Sequence, residues 1–178
     1  LSLDGKVTKR VPCSSRVESL DFVPGHPWLL VPNGGQQAGD PAFGIIQLWR
    51  NDLSQIEREF GKTGPRDYSE FSIAKPSPCG RHLVAGDSYN SLSWIYDLAT
   101  GGRIDRTSNA RDRMMSLAYS PDGGAIAIGY LNGIVECFEL KHEGDEVSAV
   151  GRRTVIDAHK GSVTNLQFIS PDLLASSG

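Results

Sequence analysis

The chain has 178 residues, 39% hydrophobic and 22% charged, a balance that sustains a folded core and excludes a disordered or collagen-like polypeptide. Its 18 Lys and Arg against 21 Asp and Glu leave a formal charge of -3, which provides no overall field to hold a polyphosphate, so a nucleic-acid partner is not expected. No apolar run approaches the roughly 20 residues that cross a bilayer as a helix, and no membrane association is expected.

Cys13, Cys79 and Cys137 form no CxxC pair, and no Asn-x-Ser/Thr sequon occurs, which predicts a reducing, cytoplasmic setting. The chain starts at Leu1 and stops at Gly178 directly after an apolar stretch, and is expected to be a piece of a longer protein.

Along the chain, short runs of Val, Ile, Leu, Phe and Tyr alternate with Gly, Pro, Asn and Asp clusters, and none keeps a helical period for three turns. An all-β fold follows. Asp4-Gly5-Lys6 precedes an apolar run over 7–11, expected to be the last strand of a preceding unit that ends within residues 1–11. A first unit is predicted over 16–60, with strands at 19–24, 28–31 and 44–49. A second is predicted over 69–107, with strands at 71–73, 82–86, 91–96 and 103–107. A third covers 113–157, with strands at 116–121, 125–129 and 133–138, and residues 162–178 begin a further one with strands at 165–168 and 173–176.

Asp122-Gly123 and Asn132-Gly133 can take the left-handed backbone angles of tight hairpins, and each lies between apolar runs. Segments 33–43 and 141–152 exceed what a hairpin needs, are rich in Gly, Gln, Asp and Glu, and are expected to be surface insertions.

The units repeat. Gly44-Ile45-Ile46-Gln47-Leu48-Trp49 is matched by Ser91-Leu92-Ser93-Trp94-Ile95-Tyr96 and by Gly133-Ile134-Val135-Glu136-Cys137-Phe138, each run ending in an aromatic. The aromatic positions recur about every 45 residues, the interval of one four-stranded propeller blade. Met115-Ser116-Leu117-Ala118-Tyr119-Ser120-Pro121-Asp122-Gly123, Leu131-Asn132-Gly133-Ile134-Val135-Glu136-Cys137-Phe138 and Ala158-His159-Lys160-Gly161-Ser162-Val163 resemble the WD-repeat β-propeller family. The Trp-Asp pair itself is eroded, since Trp49 precedes Arg50, Tyr96 precedes Asp97 and Phe138 precedes Glu139. The resemblance implies a buried hydrogen-bond network in which His159 and Ser176 fill two of the family's positions.

About three whole four-stranded antiparallel blades with flanking strands make a partial ring, because propellers close with typically 4–8 blades. Its open ends predict aggregation or pairing with another copy.

No catalytic, cofactor or metal residue is expected. Gly61-Lys62-Thr63 lacks the upstream Gly of a phosphate loop and is followed by Pro65 and Arg66 where a helix should begin. His26, His82, His142 and His159 show no metal-ligand spacing, and Cys79-Gly80-Arg81-His82 reads as a tight turn. Ser88, Ser91 and Ser162 lack a nucleophile elbow, while Asp87 and Asp97 belong to strand ends. Glu143, Asp145 and Glu146 form an acidic loop without a calcium pattern. Arg103, Arg106, Arg111 and Arg113 gather ahead of the third unit as a solvated rim. Trp94 either covers a blade boundary or is exposed for binding.

The resemblance implies a scaffold that binds protein partners through its face loops, and residues leading into the blades, Arg16, Tyr68, Arg113 and Lys160, are the expected contacts. Two other readings stay open: a propeller enzyme or cofactor-holding domain whose site needs further blades, and a regulatory or sensor module attached to an enzyme.

Overall fold

The computed structural model describes residues 9–11, 16–17, 19–34, 45–61, 71–87, 91–107, 112–144 and 146–178. Among them every regular element is a strand, and no helix is long and apolar enough to cross a membrane.

The first sheet holds β1 (Arg16–Val17), β2 (Asp21–Phe22), β3 (Trp28–Gly34), β4 (Ile45–Arg50) and β5 (Ile56–Phe60), with β1 and β2 both paired to β3. The second holds β6 (Phe71–Pro76), β7 (His82–Asp87), β8 (Leu92–Asp97) and β9 (Arg103–Arg106). The third holds β10 (Met114–Tyr119), β11 (Ala125–Tyr130), β12 (Ile134–Glu143) and β13 (Glu146–Asp157). β14 (Asn165–Ser170) and β15 (Leu173–Ser177) form a two-stranded sheet.

All pairings are antiparallel and join strands in chain order, apart from the split first strand. In such a meander, first-to-second and third-to-fourth turns lie at one end of the sheets, while second-to-third turns and the links between sheets lie at the other. The first strands stand next to one another: β6 touches β2 and β10, and β10 touches β14, while β3 of the first sheet also lies against β6. Four-stranded antiparallel sheets stacked face to face in this way form a propeller-like architecture.

Two-residue alternation gives each sheet two apolar faces, and the core is divided accordingly. Leu30, Ile46, Leu48 and Phe60 pack on Phe71, Leu83, Ala85 and Tyr96 of the second sheet. Val84 and Ile95, on that sheet's other face, meet Leu117, Ile126, Ile128 and Phe138 of the third. Ala127 and Val135 continue the stack onto Val163 and Leu166. Burying each large apolar side chain contributes about 1.5–3 kcal/mol, so the sheets are held chiefly by their neighbours.

Both hairpins form where Gly was expected to allow them, with Gly123 at φ 74° and Gly133 at φ 86°. Other expectations need correction. Residues 141–152 are a long hairpin and not an insertion: Lys141 pairs with Ala149 and His142 with Val147. The apolar side of that hairpin holds it down, since Leu140 and Val147 are buried in the second core cluster. Asn33, placed in the other insertion, lies in β3 opposite Ile45 and is buried, its Nδ2 donating to Gln47 Oε1 at 2.9 Å. The strand expected over 19–24 pairs only at Asp21–Phe22. Of the strand expected over 7–11, residues 9–11 are described and belong to no strand, while 7 and 8 lie outside the described residues.

Candidate functional site

Of the four expected contact residues, Arg113 and Lys160 are exposed and lie at the end of the third sheet where β10 and β14 are entered. The tight turn after β11 brings their segments together. Arg113 O accepts from Leu131 N at 2.9 Å, and Gly133 O accepts from His159 N at 3.1 Å. Leu131 stands on that turn with 48% of its surface exposed. His159 Nε2 and Ser176 Oγ lie 2.9 Å apart, but at the surface and not in the buried network that the resemblance implies. Arg16 opens β1, described by its backbone alone, and Tyr68 lies outside the described residues.

Arg103, Arg106 and Arg113 are exposed. The Arg103 guanidinium lies 4.1 Å from the Trp94 ring centroid and that of Arg106 5.6 Å, so both sit on an aromatic face. Arg111 lies outside the described residues. Trp94 packs half-buried against the core between the first two sheets, so it covers a boundary between sheets.

At the opposite end three hairpins bring ionisable groups together. His82 opens β7, Asp97 closes β8 and Glu146 opens β13. One ligand atom from each of the three lies within 4.8 Å of the others. The His82 side chain is 1% exposed, and its Nε2 faces Glu146 Oε2 at 2.9 Å and the Val147 N–H at 3.4 Å. Arg81 Nη1 donates to Glu146 Oε1 at 3.2 Å. Thr100 N and Oγ1 donate to Asp97 Oδ1 at 2.6 and 2.7 Å. Burial would raise the Asp97 pKa, but these Thr100 bonds together with the nearby His82 hold it below the ordinary carboxylate value.

Two clefts flank the cluster, of about 370 and 350 Å³, and Cys79 and Arg81 line both. Beside Cys79, the buried Tyr119 hydroxyl finds no hydrogen-bond partner, and burial, then the cysteine sulfur, push its pKa far up. Asp122 lines the larger cleft and is held below its ordinary value by Ser120 Oγ and the Gly124 N–H. One buried imidazole and two carboxylates at a cleft can share a proton or hold a cation.

Sequence spacing did not expose this cluster. Cys79-Gly80-Arg81-His82 marked one corner, but Asp97 read as a strand end and Glu146 as part of an acidic loop. The three come from different hairpins and meet only when the second and third sheets pack.

No protein-family model matches the chain, and a search of curated proteins gives no match. Among solved structures, the fold is similar to the crystal structure of the computationally designed Ika4 protein, with a TM-score of 0.68 at 17% identity over 93% of this chain and 86% of that one. This likeness concerns the fold alone.

Proposed function

We propose that the chain is part of a WD-repeat-like β-propeller, three blades and the start of a fourth, that serves as a rigid scaffold for protein partners. One observation carries the reading: Arg113, Leu131 and Lys160 are exposed around a single tight turn whose backbone bonds tie three segments together. Two cations beside an apolar side chain on a fixed frame offer a charged rim around a desolvating contact, the usual anatomy of a binding patch. The partner fitting it is a protein surface with acidic groups around an apolar centre. Arg16 and Tyr68 lead into the first and second blades and are the further contacts that the resemblance implies.

Quantitative affinity capture with the chain as bait, compared with an Arg113→Ala/Lys160→Ala double variant, tests the proposal. A partner retained by the parent chain and weakened at least about tenfold by the variant, with an unchanged melting temperature, is the expected result. Equal retention by both removes this rim from the interface.

A further inference from the structure

We propose that His82, Asp97 and Glu146 form a binding site for a divalent transition metal of the zinc class, at the end of the sheets opposite the Arg113 rim. The donor set is one imidazole and two carboxylates, which suits zinc-class ions; magnesium and calcium favour all-oxygen sites. The three ligand atoms already converge within 4.8 Å, although their residues come from three different hairpins.

The surroundings of His82 Nε2 supply an independent observation. A bond from the Val147 N–H needs the Nε2 lone pair, and hence the tautomer protonated at Nδ1. With that tautomer, Glu146 Oε2 faces the lone pair at 2.9 Å, acceptor against acceptor. With the proton on Nε2, the Glu146 contact becomes a hydrogen bond and the Val147 N–H meets another donor. Neither neutral tautomer satisfies both neighbours of a ring that is 1% exposed. A cation at Nε2 takes that nitrogen's one lone pair, so it turns the acceptor-against-acceptor contact with Glu146 into two metal bonds and displaces the long, 3.4 Å approach of the Val147 N–H.

Each carboxylate is also oriented from outside. Arg81 holds Glu146 by Oε1, leaving Oε2 against His82 Nε2, and Thr100 holds the Asp97 carboxylate by Oδ1. Outer hydrogen bonds of this kind fix the ligands of metal sites. The flanking clefts give an ion its access, and water completes its coordination.

Isothermal titration of the full chain, stripped with a chelator, with Zn²⁺ and separately with Mg²⁺ decides the matter. The expected result is one Zn²⁺ per chain with a Kd of about 10 µM or tighter, and no saturable Mg²⁺ binding. His82→Ala should abolish binding. Glu146→Gln, at a side chain 55% exposed and therefore safe for folding, should weaken it at least about tenfold, as should Asp97→Asn. The absence of saturable zinc binding overturns the proposal, and so does zinc binding that Glu146→Gln and Asp97→Asn leave unchanged.

Discussion

Gly133 shows how a single residue ties the third sheet to the next. Its φ of 86° is one that side chains rarely adopt, and an added Cβ would stand 1.8 Å from the His159 carbonyl oxygen. That oxygen belongs to backbone anchored by the His159 N–H bond to Gly133 O, so it cannot swing aside. Gly133→Ala should cost at least about 3 kcal/mol, read from the denaturant midpoint. Gly144 has φ 63° with nothing within 4 Å of its added Cβ, and Gly144→Ala should cost only the left-handed penalty of about 1 kcal/mol. Equal losses would refute the assignment of Gly133 to a close approach. Asp122 carries a prediction of opposite kind. Ser120 Oγ and the Gly124 N–H donate to it at 2.6 and 3.0 Å and depress its pKa from the ordinary 3.8. A depressed carboxylate binds fewer protons folded than unfolded, so its contribution is complete above the unfolded pKa and fades as pH falls through the folded one. Asp122→Asn should lose about 0.5–1 kcal/mol at pH 7, a small figure because the site is solvent-screened. The gap between variant and parent should close as unfolding is measured at progressively lower pH below 3.8.

At the scale of the element, the third strands share one specialised position. Gln47, Trp94 and Glu136 pair with Val31, Ala85 and Ile128 of their second strands, which makes them equivalent. Each reaches the fourth strand by a different chemistry. Gln47 Nε2 donates to Glu59 at 2.9 Å, Trp94 lies under Arg106, and Glu136 pairs with Arg153 while accepting from Tyr130 Oη at 3.0 Å. Glu136 is 2% exposed, so removing its partner strands a charge in the core. Arg153→Ala should therefore destabilise by about 2 kcal/mol, less than a fully buried pair because the arginine is part-exposed. The loss should shrink to under about 1 kcal/mol in a Glu136→Gln background, where no charge remains to strand; a double-mutant cycle by urea unfolding measures the coupling. Strand runs and Gly turns were legible because alternation and turn chemistry are local. The hairpin over 141–152 was not, because the register shift between Lys141 and His142 breaks the two-residue period and lets Val147 and Val150 both turn to the core.

For the whole molecule, chain-order pairing made the sequence of sheets readable, whereas the His82 cluster depends on how two sheets meet and left no spacing to read. The same stacking logic bears on the two outer faces. Tyr96 and Phe138 are each 1% exposed because a preceding sheet covers the face they share with Trp94 and Glu136. Trp49 occupies the matching place in the first sheet, but no described strand precedes it, and it is half-buried beside Leu20, Leu29 and Val31 in an open apolar groove of about 200 Å³. Phe22 and Leu20, on the same sheet, are 69% and 57% exposed. At the other end of the stack Ile169 and Leu173 stand 59% and 57% exposed on a two-stranded sheet. Two apolar faces of this kind on one stack favour association between copies, driven by about 25 cal/mol for each Å² removed from water. The 178-residue chain should accordingly self-associate at micromolar concentration, and sedimentation velocity reads its mass directly. Because the faces differ, each copy can use one end against the other end of the next, so a charge at either end should suffice to interrupt the contact. Phe22→Glu and Leu173→Glu, both at positions already open to water, should each shift the distribution toward monomer without lowering the melting temperature of the monomer itself. A parent chain that sediments as a monomer at about 100 µM would show that the two faces are too small or too wet to associate.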